Sequence, residues 1–302
     1  MAAAASSSGA QIWASSDSGV TWSLTGAPTG SFQNYTAMAA STDGTKLAAT
    51  GASFPTRYIY TSTDSGTSWN PTSAPNYPFQ SIASSANGSR LVSAAYNYNA
   101  IATSLDSGAN WDIHTVPSNF WFAVASSADG SMLAAAALSA GGFLTSTNGG
   151  LTWLSNNAPK VSFCCLASSA DGRTLFAGHG AGLYSTTDAG QSWVSNNVQS
   201  YLWRTIACTP DAKRGIAAVA SGPSTSFIFL STAPPSLIIS ATRTNTTLSW
   251  PTNSSGFQLQ QTVAIGTPNW KDVTNAIVIT NTQNTVTVLK SNSQAFFRLR
   301  GL

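Results

Sequence analysis

An eight-residue pattern, S-x-D-x-G-x-x-W, recurs five times along this chain, with Thr or Asn admitted at single positions. Its copies are SSDSGVTW (Ser15–Trp22), STDSGTSW (Ser62–Trp69), SLDSGANW (Ser104–Trp111), STNGGLTW (Ser146–Trp153) and TTDAGQSW (Thr186–Trp193). The third positions, Asp17, Asp64, Asp106, Asn148 and Asp188, are 47, 42, 42 and 40 residues apart. A period of this length marks a unit that cannot bury its apolar face alone and must stack on its neighbours. A second motif alternates with the first: AASTDGTKLAA, ASSANGSRLVS, ASSADGSMLAA, ASSADGRTLFA and the worn ACTPDAKRGIA, with turn residues Asp43, Asn87, Asp129, Asp171 and Asp211.

Each period therefore reads as four short strands. An apolar strand runs into Asp-Gly or Asn-Gly, the strongest short hairpin signal, and an Ala/Leu/Val-rich strand follows. A variable loop leads to a third strand (YIYTST, AIATSL, FLTST, GLYSTT), and the S-x-D-x-G-x-x-W turn leads to a fourth. No window carries helical periodicity. Four-stranded units at this spacing describe blades of a β-propeller, an all-β fold that leaves only short edges exposed. Over residues 1–232 the pattern predicts three strands, four full blades and three strands, about six blades in all. MAAAASSSGAQIWASSDSG aligns without gaps on MLAAAALSAGGFLTSTNGG (132–150), so Met1 falls where a blade's second strand begins. The expectation is a start inside a longer natural gene, whose missing portion carried a signal peptide.

Composition agrees. Charged residues are 8% of the chain, against about a quarter in ordinary domains. The net charge of +3 comes from scattered Lys and Arg without a basic patch, which speaks against a nucleic-acid partner. Three Cys make no disulfide framework. The longest apolar stretch, Met132–Leu144, is interrupted and too short to span a bilayer. The chain has no Glu, and its ten acids are all Asp.

The five copies resemble the Asp-box, or BNR repeat, of sialidases, Vps10-type receptors, xyloglucanases and photosystem assembly factors. These families share the box and not the chemistry, so the resemblance implies fold more than function. In such a turn the Asp accepts backbone hydrogen bonds, the Gly takes a positive φ and the Trp packs between blades. Asp17, Asp64, Asp106, Asn148 and Asp188 are accordingly assigned structural roles.

The rhythm stops at APPS, predicting a linker over 233–235 and a separate module over 236–302. Its strands, LIISA, TTLSW, GFQLQQT, NWKDV, AIVIT, NTVTVL and AFFRLR, predict a small β-sandwich. It resembles a fibronectin type III-like domain and the terminal modules of secreted verrucomicrobial repeat proteins. Trp250 is read as core.

In propellers the strand one–two and three–four turns share one face, and the strand two–three and inter-blade loops share the other, where ligands usually bind. Eight of the ten Asp fall on the turn face. Asp112 is expected on the loop face with His114, His179, Arg57 and Arg204. The sialidase resemblance would require an arginine triad, a Tyr nucleophile and paired carboxylates, which this inventory does not supply; two-carboxylate glycoside hydrolysis fails likewise. Eight residues before each hairpin Asp or Asn stands an aromatic: Tyr35, Phe79, Trp121, Phe163 and Trp203. They are either a ring of ligand platforms at the channel mouth or regular inter-blade packing. The next positions vary: Thr36, Gln80, Phe122, Cys164 and Arg204. Tyr96, Asn97, Tyr98 and Asn99 break the repeat and are the best individual ligand candidates.

Two functions fit this reading. The first is an exported binding or scaffold propeller, secreted, periplasmic or at the cell surface, monomeric, presenting an aromatic-lined face to a glycan or protein. The second is a hydrolase of lactonase, esterase, phosphotriesterase or glycosidase type, with Asp112, His114, His179 and Arg204 at the channel mouth. No metal ligand set or cofactor motif is present; a channel-bound metal ion stays open under the second reading.

Overall fold

The computed structural model describes residues 2–4, 10–17, 19–29, 33–53, 56–117, 119–139, 142–180, 182–196, 203–219, 227–231, 237–242, 244–251, 257–262, 270–280, 283–289 and 295–301. All regular structure in them is β. Compact units divide between Leu230 and Ser231. The expected linker, 233–235, lies outside the described residues.

The first unit is a β-propeller of six antiparallel sheets. Blade one has three strands, Ala2–Ala4, Ile12–Ala14 and Ser23–Leu24. Blade two runs Gln33–Ala40, Leu47–Ser53, Thr56–Ser62, Asn70–Pro71. Blade three runs Phe79–Ser84, Leu91–Ala95, Ala100–Ser104, Asp112–Thr115. Blade four runs Trp121–Ser126, Leu133–Ala137, Phe143–Ser146, Leu154–Ser155, and blade five Phe163–Ser168, Leu175–His179, Gly182–Thr186, Val194–Ser195. Blade six has Trp203–Cys208, Arg214–Val219 and Phe227–Ser231. The expected three–four–three pattern of strands is the observed one. Five apolar clusters lie between successive blades, so each of blades two to five buries both faces against neighbours.

The S-x-D-x-G-x-x-W turn shows why its residues are needed. In the second copy the Gly66 N–H donates to Ser62 Oγ (2.8 Å), and Ser62 Oγ–H donates to Asp64 Oδ1 (2.8 Å). Asp64 also accepts the Ser68 N–H, and the Trp69 indole N–H donates to the Gly66 carbonyl. The residue before the Gly is left-handed too, at φ 59°, 61° and 60° for Ser65, Ser107 and Ala189; the fourth copy has Gly149 there. Its N–H ties the turn to the same blade's hairpin: Ser65 to Thr45, Ser107 to Ser89, Gly149 to Ser131 and Ala189 to Arg173, each 2.8–2.9 Å. Trp69 is buried and Trp111, Trp153 and Trp193 are partly so, whereas Trp22 of the first copy is exposed.

The hairpins are also stitched from blade to blade. The N–H of Thr42 donates to the Ala86 carbonyl, Ala86 to Ala128, Ala128 to Ala170, and Ala170 to Pro210, all at 2.7–2.8 Å. This arc of peptide groups runs through blades two to six on the turn face.

The second unit, by itself, is a small sandwich. One sheet orders Ile238–Ala241, Asn245–Pro251, Gln283–Leu289 and Val278–Thr280; the other orders Lys271–Asp272, Phe257–Thr262 and Phe296–Gly301. Leu248, Trp250, Leu259, Val273 and Val286 form its core, which places Trp250 where the sequence put it. Gln260 is buried but satisfied, accepting from Arg298 and donating to Asp272 (2.8 Å).

Candidate functional site

The aromatics Tyr35, Phe79, Trp121, Phe163 and Trp203 are at most 4% exposed. Each belongs to the cluster between its own blade and the preceding one. Tyr35 donates its hydroxyl hydrogen to the Pro28 carbonyl (2.8 Å) and Trp121 its indole N–H to the Pro117 carbonyl (3.1 Å), pinning the inter-blade loops. Of the two readings of these five positions, the structure supports packing; their faces are not open to a ligand.

The residue after each aromatic behaves differently. In every innermost strand the register slips there, between Tyr35/Ala37, Phe79/Ser81, Trp121/Ala123, Phe163/Cys165 and Trp203/Thr205. The slip leaves Thr36, Gln80, Phe122, Cys164 and Arg204 without a strand partner, the arrangement of a β-bulge, which re-aims a side chain. All five line a central cavity of about 480 Å³.

The hydrolase candidates do not assemble. Asp112 and His114 lie in the outermost strand of blade three, not in a loop, and Asp112 is at its turn-face end opposite Thr103. His114 Nε2 is 2.7 Å from Thr103 Oγ1. Desolvation lowers its pKa against a weaker opposing effect of Asp112. His179 ends a strand in blade five and stacks on Tyr184 at 5.2 Å; burial lowers its pKa as well. Among the described residues no group of three His, Cys, Asp or Glu could hold a metal ion.

A second locus lies on the loop face. The turn Tyr96–Asn99 joins the middle strands of blade three, with Asn97 and Asn99 left-handed at φ 63° and 51°. Asn accepts this conformation better than most residues. Hydrogen bonds fix the turn on both sides, Tyr96 N–H to the Pro78 carbonyl (3.0 Å) and Val116 N–H to the Asn99 carbonyl (2.9 Å). Held so, Tyr98 lies 4.7 Å from Tyr77 at 32°, and Tyr96 lies 5.2 Å from Phe120 at 34°. Tyr77 precedes blade three and Phe120 precedes blade four, so one turn gathers aromatics from both flanking crossovers. Tyr98 and Phe120 are 50% and 41% exposed. Sequence reasoning found Tyr96 and Tyr98 but missed Tyr77 and Phe120, whose signal was an aromatic just before the repeat's own aromatic, in NYPF and NFW. Arg57 is exposed near this locus, its N–H bonded to Asn76 Oδ1 (2.8 Å) in the Tyr77 loop.

No family model matches the chain. No curated protein matches it either. Among solved structures it is similar to the crystal structure of a nidogen/laminin complex, with TM-score 0.58 and 11% identity over 77% of this chain and 89% of that one. It is also similar to an ancestral GH74 enzyme, with TM-score 0.55 and 14% identity over 89% of this chain and 48% of that one. The chain thus spans about half of the GH74 enzyme. At these identities both likenesses speak for the β-propeller fold alone. Among the described residues no helix is long and apolar enough to cross a membrane.

Proposed function

We propose that this protein is a binding propeller, exported from its cell, that presents the Tyr77–Tyr98 and Tyr96–Phe120 patch to a glycan. The observation that carries the reading is the patch itself: two tilted ring pairs, each with one exposed ring, on a turn braced by hydrogen bonds. Large apolar surface held open in this way is costly unless something covers it. Sugar rings offer C–H faces that stack on aromatic rings, and Asn97 and Asn99 stand beside them as hydrogen-bond donors and acceptors. The Asp-box character of the turns and the fibronectin-like character of the tail belong to the same reading, of a rigid display scaffold with a tethering module. Consumption of eight of the ten Asp in turns favours binding over hydrolysis.

A glycan array probed with the full chain tests it, alongside Tyr98→Ala and Phe120→Ala. Binding lost in both variants is expected. An array on which no glycan binds, or binding indifferent to both substitutions, refutes the glycan reading.

A further inference from the structure

The innermost strands place one cation in the central cavity. Arg204 is exposed into it from blade six, and no carboxylate lines that space or pairs with Arg204 among the described residues. Its neighbour across the blade boundary is Cys164. The Cys164 thiol donates to the Trp203 carbonyl at 2.8 Å, the oxygen of the very peptide that leads into Arg204, and approaches the Gly178 carbonyl at 3.3 Å. The thiol is therefore held against the backbone at the base of Arg204, and both side chains line the same cavity. Gln80 contributes an amide from blade three and Phe122 an apolar wall from blade four. Thr36 is already engaged, donating to the Phe79 carbonyl across a blade boundary (3.0 Å).

We propose that this cavity is a binding site for a small organic monocarboxylate, anchored by Arg204, with its organic part against Phe122 and its reactive reach ending at the Cys164 sulfur. A guanidinium fork matches a carboxylate in two parallel hydrogen bonds. One cation without a second beside it among the described residues suits a single negative charge. A volume of about 480 Å³ is in the range of ligand pockets for small molecules. Cys164 titrates below an ordinary thiol, held down by the hydrogen bond from Cys165 and then by the charge of Arg204, against desolvation. Cys165 keeps its proton to higher pH, because it is engaged with Cys164, is desolvated and would place a second charge beside it.

Iodoacetate and iodoacetamide make the test. Both alkylate a thiolate in the same way: sulfur attacks the methylene carbon, an S–C bond forms, the C–I bond breaks, iodide leaves with the bonding pair, and the thiol proton goes to solvent. They differ only in that iodoacetate carries a carboxylate. Labelling of the folded full chain at Cys164 is followed by mass spectrometry at fixed pH. Iodoacetate is expected to react about tenfold faster relative to iodoacetamide than in Arg204→Gln, because the local positive charge concentrates anions. Propionate should protect Cys164 from iodoacetate in the native protein and not in the variant. Cys165→Ser should leave the preference for iodoacetate in place. The proposal is overturned if Arg204→Gln slows both reagents equally, if the ratio of the two rates does not change, or if neither reagent reaches Cys164 in the folded chain.

Discussion

The peptide N–H of Ala170 donates to the carbonyl oxygen of Pro210 at 2.7 Å, one blade onward. Pro210 occupies the station that Ala170, Ala128 and Ala86 occupy in their own blades, so the backbone there accommodates a proline ring. Ala170→Pro should therefore remove one inter-blade hydrogen bond without distorting the hairpin, at a cost of about 1–2 kcal/mol. Denaturant unfolding would show a lower midpoint with an unchanged slope. No loss of stability would mean that the arc is a by-product of packing.

Within the repeated turn, the Ser hydroxyl should matter more to stability than the Asp charge. Ser62 Oγ accepts the buried Gly66 N–H, and Ser62→Ala would leave that donor unmatched, costing about 1–3 kcal/mol. Asp64→Asn should cost less than about 1 kcal/mol at neutral pH. The fourth copy shows why: Asn148 still accepts from Ser146 and Thr152, and its own amide donates to Thr152 Oγ1 (2.8 Å). Thermal melts of the two single variants decide the order.

Acid should loosen the propeller in a defined window. Asp17, Asp64, Asp129 and Asp188 are lowered from 3.8 to about 2, chiefly by hydroxyl hydrogen bonds from Thr21, Ser68, Ser127 and Ser192. Because the folded values lie below the unfolded one, the stability they contribute is full above that unfolded value and lost on descent through the folded value. Melting temperature should hold steady from neutrality to about pH 4 and then fall toward pH 2. The fall should be shallower in Asp64→Asn. A midpoint flat down to pH 2 would contradict the role of these carboxylates.

Ala189 is left-handed at φ 60° where the fourth copy has Gly149. Ala189→Gly removes the steric cost of that conformation and outweighs the added freedom of the unfolded chain, for a net gain of about 0.5–1 kcal/mol. In a domain of this size the melting temperature should rise by roughly 1–3 °C. A decrease would show that the Ala methyl packs usefully.

The two aromatic classes should separate cleanly under substitution. Trp121→Ala empties an inter-blade core and should cost about 3–5 kcal/mol. Tyr98→Ala removes a half-exposed ring and should change stability by less than about 1 kcal/mol. Equal losses would mean that Tyr98 is a structural residue.

Most of the strand order was legible because each blade repeats the same hairpin and turn signals, down to the three-stranded first and last sheets. The site was legible only in part. Alternation along a strand cannot tell an inward aromatic from an outward one when a bulge follows it, so Tyr35, Phe79, Trp121, Phe163 and Trp203 carried two readings. Constancy at those positions beside variation at the next was the usable clue. The outermost strand of blade three is short and has no apolar alternation, which is why Asp112 and His114 read as loop residues. Tyr77 and Phe120 sit in crossovers that share no repeat, and only folding brings them to Tyr98 and Tyr96. The left-handed residue before the turn Gly was hidden because Ser65, Ser107 and Ala189 are ordinary residue types, fixed there by hydrogen bonds to the hairpin.

The bulge in each innermost strand has an evolutionary corollary. It exempts one residue in each of blades two to six from strand pairing, so the register that preserves the sheet does not reach it. Thr36, Gln80, Phe122, Cys164 and Arg204 form in effect a five-letter word written around the axis, in which Gln80, Phe122 and Arg204 are the letters most readily rewritten. Such a scaffold can change its ligand by single substitutions while its blades stay as they are.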